Sequence, residues 1–490
     1  MNYFSTRNDR ETYTAAQAMA LGLAPDGGLF VPERIPTVDA GALARLAKLD
    51  YRARAVELMG LYLEEFSRAE LEDFVTAAYG AQFDDPAIAP LCALDGNTAV
   101  LELWHGPTCA FKDMALQMLP HLLTASLRKT GETRQVCILV ATSGDTGKAA
   151  LEGFRDVAGT RIFVFYPDGG VSRIQRLQMV TQAGENVGVC AVKGNFDDAQ
   201  TGVKRIFSDP EFAQALTERG WFLSSANSIN WGRLLPQIVY YFSAYLDDVN
   251  SGAVRMGEPV NFCVPTGNFG NILAGWFAKR MGLPVAKFIC ASNANNVLTD
   301  FVNTGVYDKN RPFHNTISPS MDILVSSNLE RLLYLLTGDA KTRDYMAQLS
   351  ADGRYAVGEE TLARLREDFS AGCCDDAGTM ETIGRYFRER GYLMDTHTAV
   401  AAKVLGDYRT WTGDRTPAIL VSTASPFKFA ADVLTALGAE RAEDPLSALA
   451  KASGQNVPGP LSGLDERPVR FPEVSERERM RDVVDTFLTE

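Results

Sequence analysis

The chain has 490 residues, 22% of them charged, and a net charge of −13, a size that calls for two or three domains with separate cores. No Lys/Arg-rich run offsets the acidic balance, which excludes nucleic acid and anionic membrane surfaces as partners, since both need a basic face. Eight cysteines without a Cys-x-x-Cys motif, and four histidines, argue against a structural metal site or a disulfide framework and suit a reduced cytoplasm. The polar start Met1 to Arg7 is not expected to act as a secretory signal, and no apolar run reaches the roughly eighteen residues that span a membrane.

In chain order, residues 1–95 show helical periods near 40–80 and little strand signal, which predicts a separate helical N-terminal domain. A helix is expected over 113–126. From 136 onward, short β-branched runs alternate with amphipathic stretches. Strands are predicted at 136–141, 161–166, 187–192, 260–264, 287–291 and 418–421, and helices near 147–158, 172–182, 197–207 and 270–281. This alternation predicts an α/β fold of parallel sheets with helices on both faces, whose ligands sit at the carboxyl ends of strands. Residues 293–395 read as a largely helical insertion, and 452–474, rich in Gly and Pro, as an extended tail before a short charged helix.

Lys112 stands out within His105-Gly106-Pro107-Thr108-Cys109-Ala110-Phe111-Lys112-Asp113 as a lone cation among small and apolar neighbours. Desolvation of a lysine favours the neutral, nucleophilic amine that forms Schiff bases, whereas a structural lysine would snorkel from the helix start. Three predicted strands run straight into Gly- and hydroxyl-rich loops. One loop, Pro265-Thr266-Gly267-Asn268-Phe269-Gly270-Asn271, precedes a helix N-terminus and suits a phosphate. A second, Thr142-Ser143-Gly144-Asp145-Thr146-Gly147-Lys148, lacks the spacing of a P-loop. It reads as a hydroxyl-rich turn for a carboxylate or phosphate, or as simple N-capping. The third runs from Ser422 to Lys428 and offers hydroxyls at a strand end. Separately, Arg233 follows Asn227, Ser228 and Asn230, a setting for oxyanion recognition or for a capped helix with a surface arginine. His105 and His397 read as satisfied structural histidines. A reactive lysine, a phosphate cradle, a carboxylate-type loop and an oxyanion-binding arginine together fit pyridoxal 5'-phosphate, and no metal site competes for these residues.

Over most of its length the chain resembles the threonine synthases of the long bacterial and fungal type, pyridoxal-phosphate-dependent enzymes that share the tryptophan synthase β-chain fold. The likeness runs through Asp26-Gly27-Gly28-Leu29-Phe30, the Lys112 stretch, the 143–147 loop and Asn227-Ser228-Ile229-Asn230-Trp231. It continues through the 265–271 loop, Ser318-Pro319-Ser320-Met321-Asp322 and Ser327-Asn328-Leu329-Glu330-Arg331. The resemblance implies an N-terminal domain over 1–95 and a catalytic core over 96–470, with two parallel-sheet subdomains, the smaller at about 136–235. A C-terminal helical segment would cover 471–490.

The same resemblance assigns roles. Lys112 would hold the cofactor and move protons at the substrate carbons. Gly267, Asn268, Phe269, Gly270 and Asn271 would hold the cofactor phosphate, and Thr423 would face the ring nitrogen. Asp145 would lie beside the cofactor's phenolic oxygen, where shorter relatives carry a donating amide. Ser143, Gly144 and Thr146 would meet the substrate carboxylate, and Asn227, Ser228 and Arg233 would grip the phosphate of O-phosphohomoserine. The implied activity is a carbon–oxygen lyase that makes threonine, in the cytoplasm, as a monomer or homodimer. Ser425, Phe427 and Thr396 depart from the family pattern of His, Ala and Pro. The competing readings are a phospho-lyase that releases 2-oxobutyrate, a threonine or serine dehydratase, and a non-catalytic small-ligand binding protein.

Overall fold

The computed structural model describes residues 1–440 and 442–489; Arg441, in the expected core, and Glu490, at the end of the expected C-terminal segment, lie outside them. Two parallel sheets dominate. The smaller has five strands in the order Val474–Ser475, Val187–Val192, Thr160–Pro167, Gln135–Ala141 and Trp221–Ser224, all parallel. Alternation along the strand Gln135–Ala141 divides the packing. Val136, Ile138 and Val140 join Leu119, Leu151 and Phe154 on one face. Cys137, Leu139 and Ala141 join Val203, Phe212 and Met480 on the other. With both faces buried, the strand reads as a continuous apolar run, as parallel sheets require.

The larger sheet has six strands in the order Phe369–Cys373, Val285–Ser292, Val260–Pro265, Ala418–Ser422, Thr98–Glu102 and Leu91–Asp95. Only the outermost, Leu91–Asp95, runs antiparallel to its neighbour. That hairpin pairs strands from either side of the expected domain boundary at 95/96. Phe369–Cys373 likewise draws the end of the expected helical insertion into the main sheet.

The N-terminal region carries its expected helices and also a three-stranded antiparallel sheet of Tyr3–Ser5, Asn8–Tyr13 and Phe30–Pro32. Within the expected C-terminal segment, Val474–Ser475 adds an edge to the small sheet, and helix Met480–Thr489 packs on its outer face. Among the described residues, no helix is long and apolar enough to cross a membrane.

The helix expected over 113–126 divides into Asp113–Leu116 and Leu119–Lys129. Pro120 sits in the first turn of the second piece, where its missing N–H is tolerated. The break leaves Lys112 at the head of a single short turn. That turn packs against helix Asp145–Phe154 at Gly153, where an added Cβ would meet the Leu116 carbonyl oxygen at 2.0 Å. The neighbour is backbone and cannot swing aside. Gly153→Ala is therefore expected to destabilise the protein by about 1–3 kcal/mol, read as a lower urea midpoint, and to displace the turn that carries Lys112.

Candidate active site

Strands Gln135–Ala141, Val260–Pro265, Ala418–Ser422 and Thr98–Glu102 all point their carboxyl ends at one cavity of about 830 Å³ between the two sheets. Its wall includes Lys112, Ser143, Thr146, Asn227, Ser228, Arg233, Gly267 to Asn271 and Thr423. The structure thus brings together all but two of the candidate residues. Gly144 and Asp145 lie behind the wall. Gly144 turns the chain at φ +130°, so close to Gln175 that a Cβ would lie 2.4 Å from the Gln175 side chain.

Lys112 is half-buried, its open side facing the cavity, with Nζ 4.0 Å from the centroid of the Phe111 ring. Burial drives its pKa from the ordinary lysine range down to about 8; Asp145 opposes that fall, while Arg233 and Lys428 add to it. About one amine in ten is then neutral at pH 7, far more than for an unperturbed lysine.

The 265–271 loop is built for an anion. Phe269 adopts a left-handed conformation at φ +61° and heads helix Gly270–Met281 with no side-chain cap, which leaves the first N–H groups of the helix free. Gly267 passes so near Ser320 that a Cβ would stand 2.7 Å from the Ser320 carbonyl oxygen, and Ser326 Oγ donates to the Gly267 carbonyl at 2.7 Å. Asn271 shows the polarity of the site. Its Oδ1 accepts from Tyr240 at 2.6 Å and from Tyr241 at 2.8 Å, which orients the amide, while its buried Nδ2 has no partner. Buried donors are almost always paired, so an unpaired one in a cavity wall marks a place for an acceptor.

A second anion site lies in the same cavity. Arg233 sits in the first turn of the buried helix Trp231–Ser251, which Asn230 caps through the N–H of Gly232. Its guanidinium donates to the Ala226 carbonyl; among the described residues it meets no carboxylate, and its buried Nε has no partner. Desolvation lowers its pKa to about 10. Asn227 and Ser228 share its part of the wall.

Asp145 is engaged by protein groups behind the wall. Its Oδ1 receives Lys428 Nζ at 2.9 Å and Gln175 Nε2 at 2.9 Å, and its Oδ2 lies 3.4 Å from the Ser320 hydroxyl. Burial opposes ionisation, but Lys428 and then Lys112 outweigh it and hold the carboxyl well below the usual range. Lys428, fully buried, was not among the candidates. Its signal was the one that singled out Lys112, a lone lysine among apolar neighbours, here Phe427 and Phe429. Two further residues emerge from the geometry. Asn328 Nδ2 donates to the Asn268 carbonyl and to Ser228 Oγ. His397 lines the cavity and is a satisfied histidine, as expected: its Nε2 accepts from the Ser320 N–H at 3.1 Å, which leaves Nδ1 to donate to Asp395 at 2.9 Å. His105 is also satisfied, between Asp84 and Glu102. Ser425 and Phe427, the departures from the family pattern, line a separate cavity of about 300 Å³ with Trp104, behind the wall that carries Thr423.

A primary amine of lowered basicity, a phosphate cradle with an unpaired donor, and a neutral hydroxyl at Thr423 fit pyridoxal phosphate. Fold and site together define a pyridoxal-phosphate-dependent enzyme. The family profile described as pyridoxal-phosphate dependent enzyme matches residues 93–423, that for the threonine synthase N terminus matches 2–79, and that for the threonine synthase C-terminal region matches 398–484. The chain is 41% identical over 435 residues to threonine synthase of Pseudomonas aeruginosa, covering 88% of this chain and 89% of that one. It is 44% identical to threonine synthase-like 1 of Homo sapiens over 86% of this chain, and spans 58% of that protein's length. The crystal structure of pyridoxal-phosphate-bound threonine synthase from Brucella melitensis superposes with a TM-score of 0.88 at 38% identity, over 99% of each chain. The chain belongs to the threonine synthase family.

Two outcomes follow from the site. Asn271→Asp keeps the acceptor for the two tyrosines and removes the unpaired donor. It is expected to weaken pyridoxal phosphate binding by roughly ten- to a hundredfold, the loss of a hydrogen bond to a charged group, measured by absorbance titration of cofactor-free protein. Competitive acetylation of cofactor-free protein across pH 6–10 is expected to place the Lys112 midpoint near 8, with reactivity rising as pH increases because only the neutral amine reacts.

Proposed function

We propose that this chain is a threonine synthase, converting O-phospho-L-homoserine and water to L-threonine and phosphate. One observation carries the reading. The cavity that fits the cofactor holds, apart from the 265–271 cradle, a second anion site at the buried Arg233, with an unpaired donor and, among the described residues, no carboxylate partner. An amino-acid substrate that bears its own phosphate fills that site, and a plain hydroxy amino acid does not. Cytoplasmic residence, a monomeric or homodimeric state and a place in threonine biosynthesis belong to the same proposal.

The residues divide the work as follows. When bound, pyridoxal phosphate supplies an electron sink for carbanions next to the substrate's amine-bearing carbon. Lys112 anchors it, Gly267 to Asn271 take its phosphate, and Thr423 meets its ring nitrogen as a neutral hydroxyl. Ser143 and Thr146, at the head of helix Asp145–Phe154, receive the substrate carboxylate. Arg233, Asn227 and Ser228 hold the substrate phosphate and stabilise it as it departs from Cγ with the C–O bonding pair. The Lys112 amine removes the Cα proton and then a Cβ proton. Protons return at Cγ and Cα, and water contributes hydroxide to Cβ, so that the products balance as threonine and inorganic phosphate.

The test is a product assay on purified protein. Threonine and phosphate in equal amounts are expected; 2-oxobutyrate without threonine overturns the synthase reading in favour of a phospho-lyase. Arg233→Ala is expected to raise KM for O-phosphohomoserine at least about tenfold, the loss of a charge-assisted contact. An unchanged KM removes Arg233 from the phosphate site and turns the reading toward a dehydratase.

A further inference from the structure

Lys428 makes contacts that no part of the proposed reaction uses. Its ammonium is fully buried and donates to the Thr108 carbonyl at 2.8 Å while pairing with Asp145 at 2.9 Å. Each partner lies on a different loop of the site. Thr108 begins the turn that ends in Lys112, Asp145 opens the helix behind Ser143 and Thr146, and Lys428 itself closes the turn that starts at Thr423. Thr108 is further fixed because its N–H and hydroxyl donate to Asp113 at 2.8 and 2.7 Å, next to Lys112 in sequence. One ammonium therefore joins the loops that carry the amine, the carboxylate-type site and the ring-nitrogen hydroxyl, and it balances a carboxylate that would otherwise stand uncompensated beside Lys112.

We infer that Lys428 is a positioning residue whose ion pair with Asp145 binds these three loops together and offsets the charge of Asp145 beside Lys112. The inference rests on Lys112 being the cofactor-binding amine, but its test reads Lys112 alone and does not depend on which product the enzyme makes.

The charged groups that act on Lys112 come from every side. Asp145 and Asp395 favour its ammonium, and Arg233 and Lys428 disfavour it. Asp395 is engaged by His397 and Thr398. Asp113 is held by Thr108, and Lys148 is paired with Glu152 at 2.9 Å and bonded to Gln182. Asp145 and Lys428 are thus the pair that pulls Lys112 in opposite directions from one place, and removing either one unbalances it with a definite sign.

The experiment measures competitive acetylation of Lys112 by mass spectrometry against pH on cofactor-free, full-length protein, with thermal unfolding recorded in parallel. Lys428→Met leaves Asp145 unopposed and is expected to move the midpoint up by about one pH unit, which lowers reactivity at pH 8 severalfold. Asp145→Asn is expected to move it down by a similar amount. The double variant, which replaces the pair by neutral groups of similar size, is expected to return close to the parent midpoint. Opposite shifts that cancel in the double variant support the inference. Two singles that shift the same way, or variants that unfold earlier while the Lys112 midpoint stays put, overturn it and leave the pair a merely structural clamp. If Lys428→Met does not fold, Asp145→Asn and the double variant still decide. A downward shift in the first that is cancelled in the second supports the inference, and a shift that persists in the double variant overturns it.

Discussion

The structure depends on lowering the basicity of one amine inside a cavity that must also attract anions. These demands are compatible because the same physics serves both. Desolvation lowers the basicity of Lys112, and the cations that make the cavity attractive to phosphate, above all Arg233, lower it further. The opposing influence is Asp145, and the protein contains it by pairing it with Lys428 out of contact with solvent. Arg233 shows the other half of the design. The Arg233 guanidinium is buried with an unpaired Nε and, among the described residues, no carboxylate, which is unfavourable to the folded chain and which a bound anion would offset.

Close approach of backbones converts this electrostatic arrangement into fixed geometry. Gly267 lets the phosphate cradle lie against Ser320. Ser320 then works on two sides, since its N–H donates to His397 and its hydroxyl reaches toward Asp145. The 318–322 turn is therefore a bridge from the cradle of the large sheet to the loop of the small one. Asp322 holds the turn in place, with Oδ1 accepting from Asn293 and Asn295 at 2.7 and 2.9 Å and both of its oxygens accepting from Thr316. Gly153 has the same function from the opposite direction, letting helix Asp145–Phe154 reach the turn that carries Lys112.

The parts of the site legible in the sequence are those made by local chemistry. A strand that ends in glycines and hydroxyls announces a ligand loop, because backbone freedom and short polar side chains are needed in one place; the loops at 142–148 and 265–271 carry that mark, and 422–428 carries the hydroxyls alone. What the sequence concealed is non-local. The partner of Asp145 lies 283 positions away, and nothing in either segment names the other. The N-terminal sheet escaped notice for a different reason. Its strand Asn8–Tyr13 is polar and mostly exposed, so it lacks the alternation that reveals a half-buried strand. The edge strand Val474–Ser475 is only two residues long and sits in a Pro-rich tail, too short to show a period at all.

The motifs that carried the family likeness without an evident chemical role, at 26–30 and 327–331, find their purpose in one another. Arg331 is fully buried and has no carboxylate partner among the described residues; it donates to the Phe30 carbonyl at 2.9 Å, to the Ile229 carbonyl and to Asn328 Oδ1. With that oxygen taken, the Asn328 amide can turn only its donor side to the site, where it reaches the Asn268 carbonyl at 3.0 Å and Ser228 Oγ at 3.2 Å. The neighbouring Glu330 binds Arg7 through both carboxylate oxygens and also accepts from Thr6, which fastens the N-terminal sheet to the same helix. The cofactor cradle and the substrate-phosphate loop thus share a single amide whose orientation is set by an arginine anchored in the N-terminal domain. A domain that contributes no reactive group is thereby tied to the amide that joins the 265–271 loop to the loop of Ser228.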